Sequence, residues 1–384
     1  MSDIYSVSSI LSSVFVFIGG FFLIFFVSRG FSVSYARASF LYAWHTAFCF
    51  LYLWYVLENG GDAIGYFRRG AAGLSEAGVG TSSVDFFISV VSYVIPLSIL
   101  GVSLVFNLIG CVGLLAFDAA LKQATLNAGR TLRIISSFIV FLPSVSFWSS
   151  GIGKDAVSFM AVCLSVWAAL DFSKRMPLFF FSVLCMFFVR PHMAGLLVLA
   201  ASASYLLSNR LSLARRFVFG VLAVSAAAVM VPFALKYAGV GQEVGLGGIS
   251  DYISSRQNEN LGGGSSVDIS SMNFPAKLIS YIFRPAIFEV NSVFSLAAAL
   301  DNTLLLCLVL WGGWACFKKH VRVAGDSVFM WLYSMAAWVI LSLTTANLGI
   351  ALRQKWMFVP VLIYLFISAL SEVRRKRSLD VSRG

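Results

Sequence analysis

The chain has 384 residues, 59% of them hydrophobic and only 12% charged, with a mean hydropathy of +0.87. That composition excludes a soluble domain and leaves a polytopic membrane protein. The net charge of +11 does not point to nucleic acid, because the basic residues lie mainly in short loops and act as topology signals.

The first apolar run, at about 8–28, reads as a spanning helix and not as a cleavable signal. Met1 to Tyr5 lack a basic residue, the run is too long, and no small-x-small cleavage site follows. Further runs lie at about 38–57, 86–117, 134–149, 157–172, 177–189, 194–208, 217–235, 290–316, 327–346 and 356–370. A span needs about 20 residues at 1.5 Å of rise each. Run 86–117 exceeds that, and its first part, Asp85 to Pro96, reads as an amphipathic helix lying at the interface. Other runs, of about 13–16 residues, barely span, so their polar ends dip into the hydrocarbon. The predicted architecture is therefore all-α and polytopic, with about eleven transmembrane helices in one domain over 1–370. Short interfacial helices fall in two outer loops, 58–85 and 236–289, and a basic, disordered cytoplasmic tail runs from 371 to 384. The six cysteines all lie in apolar runs without metal-ligand spacing, and read as small core residues.

Placing every second loop in the cytoplasm, beginning with 29–37, puts 18 of the 28 Lys and Arg on that side and 10 on the other. The expected orientation is therefore N-terminus out and C-terminus in. The 10 outer basic residues are not explained by topology, and they share the outer face with most of the acidic residues.

Three polar interruptions concentrate on that face. The stretch Pro143 to Asp155 joins two apolar runs through small residues and carries Lys154 and Asp155 on a very short loop. Backbone exposed there needs partners, so the stretch suits a polar cup at the membrane surface. Arg190-Pro191-His192 closes the next pair of runs, and Asn347 to Lys355 precedes the last. Arg190 and Arg353 carry planar forks suited to phosphate. His192 has the pKa range of a general base. In loop 58–85, Asp62 follows Gly60-Gly61, which let backbone approach a ligand, with Tyr66 one turn later and Arg68-Arg69 beyond. Each group also has a plainer reading: a snorkelling helix cap for Arg190, an interfacial ion pair for Lys154 and Asp155, a solvated acid for Asp62, an aromatic-belt anchor for Arg353 beside Trp356. His45 and Asp301 are polar outliers inside spans and pair with other helices on this reading. There is no Walker A sequence, no HExxH, and no charge series through the middle of several spans.

Gly61-Asp62-x-x-x-Tyr66, Phe147-Trp148-Ser149-Ser150-Gly151 followed by Lys154-Asp155, Arg190-Pro191, and Leu352-Arg353 running into Pro360 resemble the bacterial polysaccharide polymerases of the Wzy and EpsG type. These are similar in turn to membrane-embedded C-type glycosyltransferases and O-antigen ligases. The resemblance covers the whole chain as a layout. It implies an inner-membrane enzyme that polymerises undecaprenyl-diphosphate-linked oligosaccharides into polysaccharide at the periplasmic face, without a nucleotide sugar. It implies diphosphate binding by Arg190 and Arg353, with Arg284 a further match; Lys154, Arg68 and Arg69 are added as candidates by their own charge and position. Asp62 is the first choice of base, followed by Asp155 and His192. The longest outer loop is Gly-rich and has no residue-by-residue match in the family. No cofactor is required, although the acidic loops leave room for a divalent cation. The expected partners are a polyprenyl-linked glycan donor and acceptor, the bilayer and other polysaccharide assembly proteins, with no nucleic acid. Alternatives are a transferase using a polyprenyl-monophosphate sugar, a lipid-linked oligosaccharide flippase or other transporter, and a non-enzymatic assembly subunit.

Overall fold

Long apolar segments in lipid can satisfy their backbone N–H and C=O groups only within themselves, which selects helices. The computed structural model describes residues 7–207, 272–318 and 325–381, with isolated positions between 217 and 228, and every described element is helical. In chain order these are α1 (Val7–Gly30), α2 (Tyr35–Asn59), α3 (Asp62–Ala71), α4 (Thr81–Val94), α5 (Ile99–Ala124), α6 (Arg130–Ile139), α7 (Pro143–Ser149), α8 (Lys154–Ala169), α9 (Phe172–Val189) and α10 (Pro191–Leu207). They continue with α11 (Phe274–Phe283), a 3-10 turn (Ile287–Glu289), α12 (Val293–Lys318), α13 (Ser327–Thr344), α14 (Leu348–Gln354), a 3-10 turn (Lys355–Met357) and α15 (Val359–Val381).

Among the described residues, seven helical stretches are long and apolar enough to cross a membrane, and an eighth if the last, bent pair is one span. Helices α8 and α10, at 16 and 17 residues, fall short of that length. The run at 217–235 and most of the loop from 236 lie outside the described residues. Run 86–117 divides as expected: α4 ends at Val94 and α5 begins at Ile99, with Pro96 between them.

Three expectations need correction. Lys154 and Asp155 do not lie on the loop between runs 134–149 and 157–172 but in the first turn of α8. Pro143, tolerated in a first helical turn, opens α7, and Lys154 opens α8, so only Ser150 to Gly153 turn. Asn347 to Lys355 is also helical, because the Asn347 side chain caps α14 by accepting from the Gly349 and Ile350 amides at 2.9 and 3.2 Å. Nor does the tail depart at Ser371. Helix α15 continues to Val381 through Arg374, Arg375, Lys376 and Arg377, all good helix formers.

The chain divides into two units. The first comprises Met1–Gln123, Arg133–Ala168 and Arg175–Arg190; the second comprises Ala124–Leu132, Ala169–Lys174 and Pro191–Gly384. In the first, α5 and α8 are mostly buried, with 72% of the apolar stretch of α5 enclosed against 17% for α1. Helix α1 packs on α2, α2 on α7, and α3 on α4. An intramembrane charge is costly unless paired, and Arg37 meets Asp118 on α5 with Nε at 2.9 Å from Oδ2 and Nη2 at 2.5 Å from Oδ1. Helix α9 leaves helical geometry at Arg175 (φ −113°, ψ 16°), two residues before Pro177. Arg175 then donates to the Trp167 carbonyl at 2.7 Å and lies 3.8 Å from the Trp167 ring centroid, which closes the end of α8.

In the second unit, α12 and α13 pack on α15, and α10 and α11 pack on α13. The last span bends by 58° at Phe358. Pro360, in the first turn of α15, lacks an N–H that the break leaves unused anyway. Tyr333 donates its hydroxyl to the freed Met357 carbonyl at 2.8 Å.

Candidate functional site

The first unit brings Arg190, Asp155 and Lys154 to one turn, with Tyr66 of α3 beside it. Arg190 lies between α9 and α10, its backbone amide still bonded to the Met186 carbonyl at 2.7 Å. Its side chain is 9% exposed, and Nη2 donates to Asp155 Oδ1 at 2.6 Å. Asp155 stands in the first turn of α8, where a carboxylate also favours the helix dipole. The Arg190 Nε is buried without a hydrogen-bond partner. A buried donor left unmade costs about 1–3 kcal/mol, so this edge of the guanidinium is suited to an acceptor from outside the chain.

Lys154, beside it, donates to the Thr81 hydroxyl at the start of α4 at 3.3 Å. The Gly80 amide just before donates to the Phe188 carbonyl at 2.6 Å, so α4 begins against the end of α9. Helix α3 approaches the same turn. A Cβ on Gly153 would lie 3.8 Å from the Tyr66 ring, and Asp62 is the exposed first residue of that helix, one turn before Tyr66. Gly151 admits Tyr52 so closely that a Cβ there would overlap its ring.

The expected arginine set divides by what each fork already holds. Arg69 is engaged by Asp85, with Nε at 2.7 Å and Nη2 at 3.2 Å, and this hydrogen bond raises its pKa further. It therefore clamps α3 to α4. Arg68, its neighbour, is exposed. Arg284, Arg353 and His192 belong to the second unit. Arg284 donates through Nε to Glu289 at 2.7 Å, and the pair holds the Glu289 carboxyl below its ordinary range. Arg353 sits partly buried in the last turn of α14, where a cation suits the helix end. His192 is partly buried in the first turn of α10.

Lys355 stands two residues after Arg353, in the 3-10 turn that follows α14. It is fully buried, donates to Asn302 on α12, and Asp301 acts on it electrostatically. Asn302 in turn donates to the Pro285 carbonyl at 3.0 Å.

Thr81 and Asp85, which carry these arrangements, and Asn107, the buried partner of His45 on α5, were not singled out from the sequence. Asn107 had a signal: it is an amide in an apolar run, one helical turn before Gly110. Asp85 and Thr81 had none, since each looks like an ordinary helix-start residue. No group of three or more His, Cys, Asp or Glu side chains able to hold a metal occurs among the described residues.

These helices and buried charge pairs define a multi-pass, all-helical membrane protein. No family model matches the chain, and no curated protein or solved structure is significantly similar to it.

Proposed function

We propose that the chain is a membrane glycosyltransferase that extends a polysaccharide from polyprenyl-diphosphate-linked oligosaccharides at the outer face of a bacterial inner membrane. The observation that carries this reading is Arg190: buried, oriented by Asp155, beside Lys154, and with Nε unsatisfied. A guanidinium held by Nη2 offers its other N–H groups, the buried Nε–H among them, to a phosphate oxygen in fixed geometry.

In the proposed reaction, the acceptor sugar hydroxyl attacks the anomeric carbon of the donor glycan. The new glycosidic C–O bond forms as the bond to the polyprenyl diphosphate breaks, and the electron pair leaves with the diphosphate. Arg190 and Lys154 stabilise the charge growing on that leaving group. Asp62, exposed at the start of α3, takes the acceptor proton. Asp155 serves as the counter-charge that orients Arg190, a task that competes with proton abstraction.

A second reading, lipid-linked oligosaccharide translocation, has one observation in its favour. The bent last span carries a buried lysine at its break, a feature of transporter ion and substrate sites. One experiment separates the two. The purified chain is reconstituted in vesicles containing a polyprenyl-diphosphate oligosaccharide and no nucleotide sugar. Elongated glycan is expected; movement of the donor between leaflets without elongation would move the function to transport, and neither would end both readings. The same proposal requires the C-terminus inside. A reporter fused after Arg377 should therefore read cytoplasmic, and a periplasmic signal would put the Lys154 and Arg190 turns on the wrong face.

A further inference from the structure

The turn that presents Lys154 and Asp155 hangs from a buried polar network in the first unit. His45 and Thr46 on α2, Asn107 on α5 and Ser149, the last residue of α7, are all 0–2% exposed. His45 Nδ1 lies 2.6 Å from Asn107 Oδ1, and the Asn107 amide nitrogen donates to the Thr46 hydroxyl at 2.8 Å. That amide orientation assigns the ring proton to Nδ1. His45 Nε2 is then an acceptor, 2.9 Å from Ser149 Oγ, whose proton is shared with the Val145 carbonyl at 2.6 Å. Backbone packing reinforces this grip, because a Cβ on Gly110 would overlap the Ser149 carbonyl oxygen and lie 2.8 Å from His45 Cε1.

Serine, imidazole and amide succeed one another here in the order of a nucleophile, its base and an orienter. Burial argues against that chemistry. Ser149 is sealed between α2 and α5, so an electrophile has no approach to its hydroxyl. The network does reach the next residue in the chain. Ser150 to Gly153 run directly from Ser149 into Lys154, and Tyr52, seven residues after His45 on α2, presses on Gly151. Both ends of the pressure come from α2, on the same helix face two turns apart.

We infer that His45, through Asn107 and Ser149, is a positioning residue: it sets the start of the Ser150 to Gly153 turn and thereby the placing of Lys154 and of Asp155 against Arg190. Each link is a buried polar group whose partner cannot be replaced by water, so removing the imidazole frees Ser149 and loosens the turn attached to it. The effect on glycan transfer rests on the function proposed above; the effect on the turn does not.

The test uses the full chain in lipid nanodiscs and two measurements, amide hydrogen exchange and glycan elongation. In His45→Leu, exchange in the segment 149–156 should rise about ten-fold while α5 outside the contact keeps its protection. The kcat for elongation should fall by a similar factor, on the order of ten-fold, with the donor KM little changed. His45→Gln restores one donor and one acceptor at about the same reach, and should recover most of both losses. Wild-type exchange at 149–156 in His45→Leu would overturn the proposal, as would exchange raised evenly through the first unit with no recovery in His45→Gln. If His45→Leu loosens the turn while the wild-type chain elongates no glycan in the same nanodiscs, the positioning stands and the transferase reading falls.

Discussion

Arg190→Lys is expected to slow glycan elongation roughly ten- to a hundred-fold, the effect of losing about 1.5–3 kcal/mol from a charge-assisted bond that tightens in the transition state. Lysine keeps the charge and can still meet Asp155, so the fold should survive the change. What it lacks is the fixed set of further N–H donors. The guanidinium bonds Asp155 through Nη2 and leaves Nε for a different acceptor, whereas an ammonium is a point charge drawn wholly to the carboxylate. Arg190→Ala should cost more, but part of that loss would be structural, because Asp155 would be left without its counter-charge. The double variant Arg190→Ala with Asp155→Ala separates the two effects. It should recover expression and thermal stability relative to Arg190→Ala and remain inactive. A snorkelling cap predicts otherwise, since lysine reaches water as well as arginine does. Wild-type chain lengths on a gel from cells carrying Arg190→Lys and Arg190→Ala, at matched membrane expression, would remove the residue from the mechanism.

The largest stability effect is expected in the second unit. Lys355→Met should lower the stability of the folded protein by about 3–5 kcal/mol, the usual cost of removing one partner of a buried charge pair. Lys355 is completely buried and Asp301 is 2% exposed, so neither can turn to water when the other is lost. Asn302 adds to the effect, because its carbonyl oxygen would lose the lysine while its amide stays bonded to Pro285. Asp301→Leu should be as harmful as Lys355→Met. Combining the two should restore most of the loss, since a well-packed apolar pair often matches a buried ionic one. Thermal denaturation of the purified variants in detergent provides the measurement. A neutral Lys355→Met, or a double variant no better than either single change, would show that the two charges do not compensate each other.

Much of this was open to a reading of the residues in order. The class is set by composition alone, because a chain with 59% hydrophobic residues in runs of membrane length has no other way to satisfy its backbone. The division of run 86–117 at Pro96 was also visible, since proline and the turn around it end a helix wherever it is placed. Arg190, Lys154 and Asp155 also stood out, as charges at the ends of short spans, although their pairing did not. The placing of Lys154 and Asp155 in the first turn of α8 was not legible, because a charged pair just after two glycines reads as loop. The partners were hidden for a different reason. Arg190 meets Asp155 across 35 residues, Arg37 meets Asp118 across 81, and His45 meets Ser149 across 104. Local propensity carries no information over such separations. Arg353 and Lys355 show the limit most plainly: two cations two residues apart in one polar run, of which one ends α14 partly exposed and the other is wholly enclosed. Their composition is alike, and only the 58° break in the last span, packed against the α12 face that carries Asp301 and Asn302, turns Lys355 inward.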